Sequence, residues 1–153
     1  MEPWLNDIAT IEFDTLDRDI RTNLYGPWFC TREFVKRAST ASGGKGGSIV
    51  NVSSTSAASS QPLAYGISKA AQEAMANGLS KTLPPNHGIR INTVVPGLTD
   101  TGLASEENIA ILAKIIPLRR AAEPDEIAKG IAFLLSDESS YASGAFLKIS
   151  GGL

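Results

Sequence analysis

The spacing of apolar positions changes period several times along the chain, and each change marks an element. Between Thr15 and Arg37 the apolar residues Leu16, Ile20, Leu24, Trp28 and Val35 recur at helical intervals. Gly26-Pro27 interrupts that run, which predicts a kink or two abutting helices, because proline brings no N–H to the ladder. The stretch from Ser39 to Ser48 has no period and reads as a flexible Gly/Ser loop. It precedes a strand, whereas a phosphate-cradling glycine loop follows a strand and opens a helix. Ser48 to Val52 is a short β-branched run, predicted as a buried strand. A loop of Ser, Ala and Thr follows from Ser53 to Pro62, then a small-residue-rich helix from Ala64 to Leu83, ended by Pro84-Pro85. Ile89 to Val95 is a second strand, stopped by Pro96-Gly97. Thr99 to Ile116 is a loop holding a short helical piece, Glu106 to Ile116. Pro124 opens a further helix, with Asp125 and Glu126 in its electropositive first turn, running to about Leu135. Ala145 to Ile149 is the last strand.

Strands alternating with helices imply an α/β fold with a parallel sheet. Three strands make only part of a doubly wound, Rossmann-type sheet. They also leave the Ser48 strand with an open edge, a route to aggregation. The 153 residues show no repeat and no internal boundary, so the expectation is one partial domain over residues 1–153.

Composition narrows the function classes. Hydrophobic residues make up 42%, enough for a core, and the formal net charge is −2. The only basic pair that stands out is Arg119-Arg120, too little for nucleic acid. With the single cysteine Cys30 no intramolecular disulfide forms, so a reducing cytoplasm is expected. The opening MEPWLNDIAT lacks the apolar segment of a signal peptide, and no run approaches the ~18 apolar residues of a membrane span. The one histidine, His87, sits in the turn-like PPNHG and reads as a plain loop residue. One histidine and one cysteine make no metal site.

Tyr65 and Lys69 stand four apart, on one face of the predicted helix. A nearby ammonium favours the phenolate and lowers the tyrosine pKa, so the pair suits general acid–base work. Alone, such a pair equally describes a solvated helix face. The context adds weight. Ser53-Ser54 close the strand before this helix, and the next strand ends in NTVVPGLTDT. Both strand ends lie at the carboxyl edge, where open α/β sheets bind ligands, and the Pro-Gly turn carries Thr99 and Thr101 to the same crevice.

The ordered set formed by Asn23, VNVSS, YGISK, INTVVPGLTDT and the closing PLRRAAEPDEIAKGIAFLLSDESSYASGAFLKISGG resembles the short-chain dehydrogenase/reductase family from about Phe13 onward. The resemblance implies hydride transfer between NAD or NADP and an alcohol/carbonyl substrate. It implies Tyr65 as acid/base and Lys69 as the lysine that lowers the tyrosine pKa and binds the nicotinamide ribose. Ser54 would orient the substrate oxygen, and Asn23 would hold a water of the proton relay. Pro96, Gly97 and Thr99 match the turn that meets the nicotinamide, with Thr101 just beyond. Leu103 to Leu118 corresponds to a substrate lid. The Asn23 and Tyr65 helices match the family's dimer-forming pair, and Ala70, Ala71, Ala74 and Gly78 offer a close-packing face for homo-oligomer contact.

Three departures qualify the match. Ser54 and Tyr65 are eleven positions apart, slightly short of the family spacing, which leaves Ser53 or Ser56 as alternatives for the substrate contact. Thr99 replaces a branched apolar residue at a position that works through its backbone. The family's opening strand and Gly-rich turn, its NAD/NADP discriminator and its Asn-Asn-Ala-Gly segment have no counterpart here. The chain therefore corresponds to the C-terminal catalytic part, with activity expected to need the N-terminal cofactor-binding part. A module kept only for oligomerisation or interaction is the alternative. A serine hydrolase is disfavoured, because there is no Gly-x-Ser-x-Gly elbow and only His87 could serve as base.

Overall fold

The computed structural model describes residues 7–102 and 105–153. The first two residues of the expected lid, Leu103 and Ala104, and the opening residues through Asn6 lie outside the described residues. Three parallel strands, β1 (Gly47–Val52), β2 (Ile89–Pro96) and β3 (Phe146–Ile149), stand side by side in chain order. Parallel neighbours need crossovers. Helices α3 (Ser56–Ser59), α4 (Leu63–Leu79) and α5 (Leu83–His87) link β1 to β2, and α6 (Glu106–Ala113) and α7 (Pro124–Leu135) link β2 to β3. Ahead of β1 come α1 (Phe13–Ile20), a π-helical turn (Arg21–Tyr25) and α2 (Gly26–Ala38).

Alternation along the central strand builds the core. Ile89 and Ile91 point to one side, where Ala76 and Leu83 cover them with Val35 and Ala38 alongside. Val94 points to the other side, beneath Ile127 and Leu134 of α7. Each such side chain contributes about 1.5–3 kcal/mol on leaving water. The sheet is therefore sandwiched, with α2, α4 and α5 on one face and α7 on the other.

Local departures from the sequence pattern have identifiable causes. The kink expected at Gly26-Pro27 is a π turn just upstream. In an α-helix the Asn23 carbonyl would accept from residue 27, and Pro27 has no N–H, so the ladder widens and the Gly26 amide donates to Arg21 O. The small-residue helix stops at Leu79 rather than Leu83, and Pro84-Pro85 lie in the first turn of α5 instead of ending α4. Proline is tolerated there because first-turn amides have no helical acceptor. His87 accordingly closes a helix, with its Nδ1 2.8 Å from Ser39 Oγ.

The Gly/Ser stretch is held in place rather than flexible. The Gly46 amide donates to Ala38 O, and a Cβ on Gly46 would sit 2.2 Å from Gly88 O. β1 is only partly buried, with Asn51 its one fully buried residue and Val52 40% exposed. Among the described residues it has a single strand neighbour, β2. The helix opening at Pro124 runs to Leu135 as its pattern predicts, with Glu123 and Glu126 forming a capping box.

Arg90, at the start of β2, ties that strand to the end of α7. Its Nη1 donates to Ala142 O at 3.0 Å and Ser139 Oγ at 3.2 Å, and its Nη2 donates to Ser136 O at 3.1 Å. A cation is favoured at a helix C-terminus, where the guanidinium shares these carbonyls with Asn92 and Ser139. Replacement by Met keeps the apolar stem and removes the donors. Arg90→Met is expected to lower unfolding stability by about 2 kcal/mol, read as a lower urea midpoint. An unchanged midpoint would show that water replaces the guanidinium at no cost.

Candidate active site

The carboxyl ends of β1 and β2 and the first turns of α4 meet at one rim, and the backbone dictates who meets whom. The Ser53 amide donates to Val94 O and the Thr55 amide to Pro96 O, each bond extending the β1–β2 pairing past the strand end. The Gly97 amide donates to Ile149 O, so the Pro96-Gly97 turn is fastened to β3 as well. Gly66 lets the Ser56–Ser60 segment close on α4, since a Cβ there would sit 2.6 Å from the Ser60 backbone.

Tyr65 and Lys69 share one face of α4, with the Lys69 Nζ 5.6 Å from the centre of the Tyr65 ring. Lys69 is 9% exposed and its Nζ donates to Val52 O at 2.8 Å. Burial holds its pKa below the ordinary lysine value. The Tyr65 phenol lies above the ordinary tyrosine value. Burial is the main cause, a hydrogen bond with Ser54 pulls downward, and the Asp19 carboxylate adds a smaller upward push. This corrects the expectation that Lys69 lowers Tyr65. The Lys69 ammonium is drawn to the strand carbonyl, and burial disfavours the charged form of each group.

The structure separates the three serine candidates. Ser54 is the serine that acts on the Tyr65 phenol, pulling its pKa downward, and its Oγ accepts the Ser56 amide at 3.1 Å. Ser53 is turned away, its hydroxyl donating to Glu73 Oε1 at 2.6 Å. Ser56, Ser54 and Ser59 line a cavity of about 660 Å³ together with Leu98, Leu112 and Ile115. None of the described residues lining it carries a charged side chain.

Asn23 reaches the site through an intermediary. Its Nδ2 donates to Ser68 Oγ at 3.0 Å, and Ser68 Oγ donates to Tyr65 O at 2.7 Å. The π turn thus places Asn23 against the helix of Tyr65. Thr99 Oγ1 donates to Gly97 O at 3.2 Å, and Thr99 pairs with Ala122. Thr101 is exposed in the following bend. The sequence reading missed Ser68 and Glu73. Both follow from the helical period, three residues after Tyr65 and four after Lys69.

A raised phenol pKa has a definite linkage. The Tyr65 contribution to stability is complete below the unfolded tyrosine pKa and is lost as pH rises through the folded value. In a Tyr25→Phe/Tyr141→Phe background, tyrosinate absorbance should report a Tyr65 midpoint above that of free tyrosine. Ser54→Ala should raise it further and Asp19→Asn should lower it. A midpoint at or below the free value would contradict the burial argument.

Comparison with known proteins gives the same family throughout. A family model described as enoyl-(acyl carrier protein) reductase matches residues 3–153. An uncharacterized oxidoreductase, YgfF of Escherichia coli (strain K12), is 34% identical over 95% of this chain and 61% of its own length. The A-factor type gamma-butyrolactone 1'-reductase (1S-forming) of Streptomyces virginiae is 34% identical over 86% of this chain and 53% of its own. Among solved structures, the angucycline C-6 ketoreductase LanV with bound NADP superposes with a TM-score of 0.84 at 31% identity, covering 97% of this chain and 58% of that one. The chain thus spans about half to three-fifths of the length of these relatives.

Proposed function

The chain belongs to the short-chain dehydrogenase/reductase family, and from that membership we propose that it carries the catalytic part of a nicotinamide-dependent ketone reductase. The observation that supports this most directly is the meeting of Ser54, Tyr65 and Lys69 near a cavity whose described lining has no charged side chain. In this reading Ser54 donates a hydrogen bond to the substrate carbonyl oxygen. Tyr65 then passes its phenolic proton to that oxygen as the alcohol forms, and solvent replaces the proton. A phenol held neutral by burial suits a proton donor. Lys69 compensates the transient phenolate. The apolar wall of Leu98, Leu112 and Ile115 favours a neutral substrate with an apolar body.

The residues fit one end of a dinucleotide. Lys69 and Tyr65 suit the ribose next to the nicotinamide, and the Pro96-to-Thr99 turn, followed by Thr101, suits the nicotinamide itself. When bound, the cofactor supplies the hydride. For the pyrophosphate, no helix among the described residues opens from a Gly-rich turn after a strand. Residues 1–153 then act as one partial domain whose activity requires a separate cofactor-binding segment, with NAD and NADP both open. The substrate is a small alcohol or carbonyl compound, and the expected compartment is the cytoplasm. No helix among the described residues is long and apolar enough to cross a membrane.

Two measurements test this reading together. Calorimetry should show NADPH and NADH binding to the chain alone far weaker than micromolar. Grafted onto the part of the E. coli relative that it does not span, the chain should reduce 1-tetralone, and Tyr65→Phe should slow that reaction ~10²–10⁴-fold. A graft that folds and binds cofactor but ignores Tyr65→Phe would favour an inactive interaction module.

That second reading draws on the outer surface. Trp28 and Phe29 of α2 are each 51% exposed, and Trp28, Met75 and Leu79 line a groove between α2 and α4. We assign this face, together with Ala74 and Gly78, to a second copy of the chain. Light scattering should give a dimer mass, and Trp28→Glu should return it to the monomer. A monomeric parent at high concentration would remove the assignment.

A further inference from the structure

Three consecutive residues at the end of β1 each meet one residue of a single stripe on α4. The Val52 carbonyl accepts from Lys69 Nζ at 2.8 Å. The Ser53 hydroxyl donates to Glu73 Oε1 at 2.6 Å. The Ser54 hydroxyl faces Tyr65 closely enough to pull the phenol's pKa downward. Tyr65, Lys69 and Glu73 follow one another at intervals of four, so their side chains align along the helix. Two of the three touch reacting groups in the proposed reaction, and Glu73 does not.

The Ser53–Glu73 contact is a hydrogen bond to a carboxylate, short and stronger than a neutral one. Ser53 is 3% exposed, its amide donates to Val94 O, and its hydroxyl donates to Glu73. The Ser53 and Thr55 amides hold the backbone of this segment to β2, and the Ser53–Glu73 bond adds a hold toward α4. A slip or rotation there would carry Ser54 off the phenol.

We propose that Glu73 is a positioning residue: its carboxylate grips Ser53, sets the end of β1 against α4, and so keeps the Ser54 hydroxyl on Tyr65. What this placement is for rests on the reductase reading, but the placement itself can be measured without turnover. The charged groups facing Tyr65 are Asp19 from α1 and Lys69 from its own helix.

The sign of one titration separates a grip from a simple charge. Removing a carboxylate that acted only through its field would favour the phenolate and lower the Tyr65 midpoint. Losing the grip would cost the Ser54 hydrogen bond and raise it. In the Tyr25→Phe/Tyr141→Phe background, Glu73→Ala is therefore expected to raise the midpoint by about half to one pH unit, the equivalent of one ordinary hydrogen bond. Ser53→Ala should raise it equally, and the double variant should add nothing further. Glu73→Gln keeps an acceptor for Ser53 and should stay near the parent.

A lowered midpoint in both Glu73 variants, an unmoved midpoint in Glu73→Ala and Ser53→Ala, or additive shifts would each overturn the proposal. Should Glu73→Ala fail to fold by circular dichroism, Ser53→Ala and Glu73→Gln decide the matter. The grafted chain separates the two readings. Expected titrations without Tyr65-dependent reduction leave the grip standing and remove the reductase, and the reverse result removes the grip alone.

Discussion

The buried ammonium of Lys69 on the last carbonyl of β1 is the contact around which the rim is arranged. A charge taken out of water is costly unless it is hydrogen-bonded, and Val52 O offers an acceptor where the strand ends. That bond fixes how α4 lies across β1. It also brings Tyr65 into the same desolvated environment, which is why the lysine pKa falls while the phenol pKa rises. The two shifts are one fact about burial seen from opposite charge types.

A second constraint begins at a residue with no chemistry of its own. Pro27 cannot donate to the carbonyl four residues earlier, and the helix answers with a π turn from Arg21 to Tyr25. The widened turn carries Asn23, whose amide bonds to the fully buried Ser68, which in turn bonds to the carbonyl of Tyr65. A backbone defect in one helix is thereby coupled through two hydrogen bonds to the position of the phenol in another. π turns are frequent at functional sites for this reason: they place a side chain where a regular ladder would not.

The fold was legible wherever period and punctuation agreed. Pro124 with its acidic first turn marked α7, and β-branched runs marked β1 and β2, because these signals are local. Helix ends were less legible. Pro84-Pro85 reads equally as a stop or a start, and the choice fell to Leu83, which packs under Ile89 and Ile91 and so needs a helix at that point. The Gly/Ser loop reads as flexible until Gly88, more than forty residues later, is seen to press against Gly46. Of the candidate site, the four-residue interval put Tyr65 and Lys69 on one helix face and the strand end offered a serine pair, while the family resemblance singled out Ser54 and left Ser53 and Ser56 open. Ser68 and Glu73 went unread because their partners, Asn23 and Ser53, lie far off in sequence.

By itself the sequence determined the order of elements and the placing of Tyr65 and Lys69 on one helix face, since each follows from side-chain periodicity or from local backbone chemistry. Tertiary structure decided which of three neighbouring serines turns toward Tyr65, where the Lys69 proton donors go, and hence the direction in which the phenol titrates. Those outcomes depend on distances between a strand end and a helix face, and on how much water their packing removes, and no spacing along the chain encodes either quantity.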